Sequence, residues 1–456
     1  MSNDDDYTAP NEENRFGGRV RRYARVGASA SKLAARLATG KVFGGDVDHA
    51  KYAAELTSAL GGLKGPLMKV AQILSTIPDA LPKEYTQALA TLQADAPSMG
   101  WLFVKRRMRS ELGSGWQSSF TDFSREAVAA ASLGQVHKAT LPDGRAVACK
   151  LQYPDMSATV EADLKQLRAA FAIYKRYDSA IDAQNIQEEL SARLREELDY
   201  KREAKHMRLY RHMLADEDAV HVPEPVDELT TSRLLTMTWQ TGQKFQSFLD
   251  SDADQDARNQ VALNMFRAWY VPFYRYGVIH GDPHLGNYTL REDRSVNLLD
   301  FGCIRIFKPD FVHAVLTLYE ALRDGDEDKA VSAYESWGFE NPSRELIDVL
   351  NIWASFVYGP ILDDRKRKMG ETNSVAYGAE VAAKVHKELK AVGGVKPPRE
   401  FVLVDRAAVG LGAVFLRLDA HVNWYQLFHD LVGDFDAAKL AANQDAALQS
   451  VGLERP

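Results

Sequence analysis

The stretch His280-Gly281-Asp282-Pro283-His284-Leu285-Gly286-Asn287, followed by Leu298-Leu299-Asp300-Phe301-Gly302, constrains this chain more than any other part of it. Asn287 stands five residues after Asp282, and Asp300 thirteen residues after Asn287. An amide and a carboxylate supply oxygen donors for a hard divalent cation, with a second carboxylate beside them. Phosphoryl transfer asks for little more than positioned reactants and neutralised charge. On that chemistry Asn287 and Asp300 can hold Mg2+ ions bridging phosphates. Asp282 can orient the attacking hydroxyl or water and accept its proton. The bland reading, in which Asp282 and Asp300 merely cap turns, does not account for the spacing. His280 and His284 could form a metal pair. No thiolate or third imidazole lies near them, so structural roles are expected.

This spacing is that of the catalytic and metal loops of a protein-kinase core. Such a core needs a lysine on an upstream strand. Ala146-Val147-Ala148-Cys149-Lys150 reads as that strand, and the Lys150 ammonium can neutralise the phosphates once a helix acid orients it. Strand alternation puts Cys149 on the opposite face, as a small buried apolar residue. Cys303 directly follows Asp-Phe-Gly and is the cysteine to which a redox role could fall. A Gly-x-Gly-x-x-Gly loop is missing. Ala129-Ala130-Ala131-Ser132-Leu133-Gly134-Gln135-Val136-His137 stands in its place. Small residues still let backbone approach phosphates, although alanine is stiffer than glycine.

The chain is long enough, at 456 residues, for two or three domains or one two-lobed body. Hydrophobic residues at 45% can build a sizeable core, which excludes wholesale disorder. A net charge of -7 argues against whole-chain affinity for nucleic acid. The two cysteines exclude a disulfide scaffold and suit a reducing compartment. No apolar run approaches the roughly 18 residues of a membrane span. The acidic start Met-Ser-Asn-Asp-Asp-Asp fits neither a signal nor a transit peptide. A cytoplasmic protein, or one peripheral to a membrane, is expected.

Residues 1–14 read as a disordered acidic tail. Residues 15–45 form a basic segment: eight basic residues and no acid fall between Arg15 and Lys41, with small apolar residues at helical spacing. A basic amphipathic helix can lie on an anionic membrane, or it can be a solvated helix packed lightly on the body. Residues 46–112 read as a helical extension. Residues 113–245 read as a small sheet with a helical insert, with strands at Ala127–Ala129, Gln135–His137, Ala146–Cys149, Val220–Pro225 and Leu234–Trp239. Asp143-Gly144 marks a hairpin. Residues 246–456 read as helical, interrupted at 278–302.

The alanine-rich loop, combined with the two acid loops, resembles the UbiB family of atypical kinases, also called aarF or ABC1-like kinases. The resemblance covers roughly residues 50–420. It extends to Lys69-Val70-Ala71-Gln72, similar to the family's Lys-x-Gly-Gln motif with Ala71 in place of glycine, and to Glu197-Leu198-Asp199, similar to its Glu-x-Asp motif. Arg406 and Leu418-Asp419 also look similar to family positions. Leu285 departs from the family's usual proline.

The resemblance implies an α+β, two-lobed protein-kinase-like fold: a small mixed-sheet N-lobe, a helical C-lobe and an added helical N-terminal extension. It implies ATP and Mg2+ as cofactors. Ala130, Ala131, Ser132, Gly134 and Gln135 are then expected at the nucleotide with Lys150. Lys69 and Gln72 are expected to fold over the site and meet Glu197 and Asp199. Glu203 is the expected helix partner of Lys150, with Glu197 the alternative. Some bacterial members end in two membrane-spanning helices. This sequence shows none, which favours peripheral attachment.

After Asp-Phe-Gly the chain runs Cys303-Ile304-Arg305-Ile306-Phe307-Lys308-Pro309 into a helical pattern, with no long activation segment and no Ala-Pro-Glu. That argues against a general protein kinase. Three readings follow. One is an ATP-hydrolysing atypical kinase supporting ubiquinone biosynthesis, with that pathway's enzymes or lipid precursors as partners. The second is a phosphotransferase on a protein or small molecule. The third is a nucleotide switch without turnover.

Overall fold

The computed structural model describes residues 98–131, 133–161, 164–165, 184–371 and 375–455. The tail, the basic segment and the extension up to residue 97, Lys69 and Gln72 included, lie outside the described residues, as does Ser132.

The described end of the extension is α1 (Trp101–Leu112). Val104 and Met108, four apart, share one face of it and bury with Trp116, Val147, Cys149, Leu151 and Leu234. That face closes one side of an antiparallel sheet. Its first strands are β1 (Asp122–Phe123), β2 (Ala129–Ala131), β3 (Gly134–Thr140) and β4 (Ala146–Gln152). The Asp143-Gly144 turn works because Gly144 has φ +85°, where a side chain is strained. It sets β3 and β4 in register from Thr140–Ala146 to Gly134–Gln152.

Between this hairpin and the rest of the sheet come α2 (Gln184–Glu196) and α3 (Tyr200–Met213), broken from each other at Leu198-Asp199. Then follow β5 (Val220–His221) and β6 (Leu234–Thr238). β6 pairs antiparallel with β4 and completes the five-stranded sheet β1-β3-β4-β6, with β2 alongside β3. Every pairing in this sheet is antiparallel, not mixed. β2 begins two residues later than the sequence pattern predicts. Its ladder is set by Ala131 opposite Gly134.

The second half starts with β7 (Gln243–Lys244), α4 (Phe245–Leu249) and the long α5 (Gln255–Tyr276). Trp269 and Phe273 of α5 are fully buried at the centre of the larger core. Against α5 lie β8 (Val278–His280), β9 (Tyr288–Leu290), β10 (Val296–Leu298) and β11 (Ile304–Ile306). β8 pairs with β11, and β9 with β10, both antiparallel; β5 runs parallel to β10. The loops that carry Asp282, Asn287 and Asp300 are the connections β8–β9 and β10–β11.

Helices α6 (Pro309–Asp324), α7 (Glu327–Ser336) and α8 (Arg344–Tyr358) follow. After β12 (Arg367–Lys368) come α9 (Val375–Ala391), α10 (Arg399–Leu418), β13 (His421–Val422), α11 (Trp424–Val432) and α12 (Ala437–Ser450). β12 and β13 form a small antiparallel pair in a stretch whose sequence reads as helix. The chain reaches it because Asp419 adopts φ +52° and ends α10. Among the described residues no helix is long and apolar enough to cross a membrane.

Candidate functional site

Lys150 sits on β4, buried, with its Nζ 2.7 Å from Oε1 of Glu203 and 3.0 Å from Oδ2 of Asp300. Strand alternation does the sorting. Lys150 faces α3 and the Asp300 loop, while Cys149 turns into the α1 side of the sheet. Burial there pushes the Cys149 thiol up to about 12. Burial alone would lower the Lys150 pKa, but the Asp300 and Glu203 carboxylates outweigh it and hold it well above the ordinary lysine value. Burial raises the Glu203 pKa in turn, against the pull of Lys150. The Tyr200 ring lies 5.2 Å from the ammonium and forms one wall.

The acid facing Lys150 is Glu203, one turn into α3. Glu197 lies elsewhere: its Cγ is 3.4 Å from the point where Gly302 would carry a Cβ, beside the Asp-Phe-Gly turn. Asp199 is the N-cap of α3 and accepts from the amides of Lys201 at 3.0 Å and Arg202 at 3.2 Å. Leu198 O accepts from Gln152 Nε2 at 3.1 Å, which fastens the α2–α3 break to the end of β4.

Asp282 and Asn287 are joined directly. Asn287 Nδ2 donates to the Asp282 carbonyl at 3.0 Å and to its Oδ2 at 3.1 Å. This leaves Asn287 Oδ1 as the oxygen its side chain offers a cation. Asp300 Oδ1 accepts from the Gly302 amide at 2.9 Å, and the Asp300 side chain is about one-third exposed. The donor set is oxygen only, the set a hard cation such as Mg2+ prefers. Among the described residues no three His, Cys, Asp or Glu side chains converge on a metal. A Mg2+ here would therefore complete its shell with phosphate and water oxygens.

His280 is the brace between the two loops. Its Nδ1 accepts from the Asp282 amide at 3.2 Å, so Nε2 carries the proton and donates to the Asp300 carbonyl at 2.6 Å. Trp269 Nε1 donates to the His280 carbonyl at 3.1 Å. His284 Nδ1 accepts from the Gly286 amide at 3.1 Å inside the same loop. Leu285 packs against the larger core.

Ala130 and Ala131 lie on β2, where they can present backbone to a phosphate. Gly134 begins β3 so close to β4 that a Cβ on it would stand 2.2 Å from the Leu151 carbonyl oxygen. Gly134→Ala is therefore expected to force β2 and β3 off β4. We expect a stability loss of about 1–3 kcal/mol together with loss of nucleotide binding, read by thermal melting and calorimetry. A variant that binds and melts like the parent would overturn this.

Gln135 is fully buried and faces the extension. It accepts from the Met99 amide at 2.7 Å and donates to the Met99 carbonyl at 3.0 Å. Its Nε2 also lies 2.8 Å from His137 Nε2, while His137 Nδ1 is 2.9 Å from the Ser124 carbonyl. A neutral His137 satisfies both contacts by donating from Nδ1 and accepting at Nε2. Burial lowers its pKa, which favours that neutral ring. Gln135, expected at the nucleotide, thus spends its side chain on Met99.

A charged cluster that sequence reading missed lies behind the Asp-Phe-Gly turn. Buried Glu189 of α2 pairs with Arg193 at 2.6 Å, with Arg399 of α10 at 3.0 Å, and with Arg305 of β11. Glu196 pairs with Arg202 at 3.0 Å and with Arg193. Arg305 lies 116 residues from Glu189, a separation at which no local pattern signals a partner.

A family model described as ABC1 atypical kinase-like domain matches residues 91–334. The atypical kinase COQ8, mitochondrial, of Saccharomyces cerevisiae is 27% identical over 385 residues, covering 82% of this chain and 75% of the relative. The atypical kinase COQ8B, mitochondrial, of Rattus norvegicus is 26% identical over 439 residues, covering 90% and 80%. Among solved structures, the complex of Rv3197 with erythromycin from Mycobacterium tuberculosis aligns with a TM-score of 0.56 at 26% identity. It covers 87% of this chain and 98% of that one.

Proposed function

This chain belongs to the ABC1 atypical kinase-like family, and from that premise we propose that it binds ATP with Mg2+ and transfers or hydrolyses its terminal phosphoryl group. The observation that carries this reading is Lys150 held at 2.7 Å and 3.0 Å between Glu203 and Asp300, with Asp282 and Asn287 bonded together beside them. Lys150 neutralises phosphate charge, and Glu203 orients it. Asn287 and Asp300 hold Mg2+, which when bound screens the phosphate oxygens. Asp282 positions the attacking hydroxyl or water and takes its proton. The backbone of Ala130, Ala131, Ser132 and Gly134 cradles the phosphates. Lys69 and Gln72 cover the site from the extension and meet Glu197 and Asp199.

The setting we propose is support of ubiquinone biosynthesis, with that pathway's enzymes or lipid precursors as partners. It rests on the family resemblance. Peripheral contact with an anionic membrane through residues 15–41 is part of the same proposal and rests on their charge.

The test is ADP release from Mg-ATP by the full chain, with and without anionic liposomes, beside Asp300→Asn. Turnover that rises on liposomes and is lost in the variant is the expected result. Nucleotide binding without turnover above the variant would favour the switch. A phosphorylated product would favour the phosphotransferase.

A further inference from the structure

One buried titratable side chain of α3 has no task in the chemistry above. His206 follows Glu203 by three residues, so the two share a helix face. It is 2% exposed, and its Nδ1 lies 3.1 Å from the carbonyl oxygen of Phe301. A carbonyl only accepts, so Nδ1 carries the proton and donates. Burial pushes the His206 pKa down to about 4, which leaves a neutral ring with its single proton committed to this bond.

The bond matters because of what it completes. His280 donates to the carbonyl of Asp300, and His206 donates to the next carbonyl in the chain. Glu203 Oε1, while accepting from Lys150, also stands 3.4 Å from the Phe301 amide. A single turn of α3 therefore addresses both backbone polar groups of Phe301. The Phe301 ring is fully buried, 5.4 Å from the ring of Tyr210, one turn further along α3. The two peptide planes on either side of Phe301 are thus held from α3 and from the catalytic loop. The Asp300 side chain springs from the residue just before. Its direction is set by those planes, by the Gly302 amide and by Lys150 Nζ, 3.0 Å from Oδ2.

We propose that His206 is a positioning residue for Asp300: by holding the Phe301 carbonyl it fixes the direction in which the Asp300 carboxylate meets the cation. The proposal rests on the reading of Asp300 as a holder of Mg2+. Oriented partners behind a metal ligand are worth about 10–100-fold in metal affinity. A purely space-filling His206 would contribute to packing but not to the cation.

Calorimetric titration of the full chain with ADP across a Mg2+ series separates the two. His206→Leu and His206→Met keep the bulk and remove the donor, and the pair guards against one failing to fold. His206→Asn places an amide N–H close to the position of Nδ1. The apolar variants should raise the half-saturating Mg2+ concentration about tenfold and leave Mg2+-free ADP affinity within about twofold, while His206→Asn returns to within about threefold of the parent. A Mg2+ dependence shared by all four proteins overturns the proposal, as does an Asn variant no better than the apolar ones. Asp300→Asn is titrated in parallel. If it leaves the parent's Mg2+ dependence intact, the assignment of Asp300 fails, and that failure is distinct from a failure of His206 alone.

Discussion

Asp300→Asn is expected to abolish Mg2+-dependent nucleotide turnover, with a loss of at least about 10²–10³-fold, the scale seen when a preorganised electrostatic partner of the transition state is removed. The substitution is conservative in shape. Asn keeps an oxygen for the Gly302 amide, which Asp300 Oδ1 engages at 2.9 Å. It removes the charge that faces Lys150 at 3.0 Å and the anionic donor that a hard cation needs. The fold should survive, because Lys150 retains Glu203 at 2.7 Å. Single-turnover assays with Mg-ATP, paired with circular dichroism, check both halves. A folded variant that turns over like the parent would remove Asp300 from the chemistry and the proposed function with it.

The largest expected stability effect lies behind the site, at Glu189. Its carboxylate serves Arg193, Arg305 and Arg399 from three different elements while itself buried. Glu189→Ala would leave Arg399 without this partner and Arg193 and Arg305 gathered with Arg202 on Glu196 alone, three guanidinium groups to one carboxylate. Breaking a buried ion pair from one side costs about 3–5 kcal/mol, mostly as the penalty on the charges left behind. Arg344→Ala, which removes an exposed pair with Glu327, should cost only about 0–1 kcal/mol. Urea denaturation of the two variants should show that contrast. Equal midpoints would mean the cluster is solvated and that α2 is not tied to β11 and α10 through it.

The acid loops were legible in the sequence because their Asp and Asn residues stand on short connections between strand pairs, and short connections fix spacing. Lys150 was legible because strand alternation assigns its face. The choice between Glu197 and Glu203 was not. Both lie in one charged stretch, and only the break at Leu198-Asp199, capped by Asp199, rotates α3 so that Glu203 reaches β4. Gln135 was misleading for a related reason. Its neighbours belong to the loop, but its own face points to Met99. His206 and Arg305 were silent, since a buried polar side chain reveals its partner only when distant segments meet. The β12–β13 pair was missed because two residues per strand carry no detectable period.

The Met99 clamp has a practical bearing on how the extension can be studied. Gln135 satisfies its buried amide by mimicking a peptide neighbour for Met99. A shortened chain beginning at residue 101 would strip that partner from the strand leading out of the alanine-rich turn. An unsatisfied buried amide costs about 1–3 kcal/mol, and the strand would relax to recover it. Deleting the extension therefore alters the strand that follows the alanine-rich segment as well as removing the proposed cover. Activity gained or lost by such trimming reports on both at once. A chain beginning at residue 98, which keeps Met99, isolates the effect of the proposed cover.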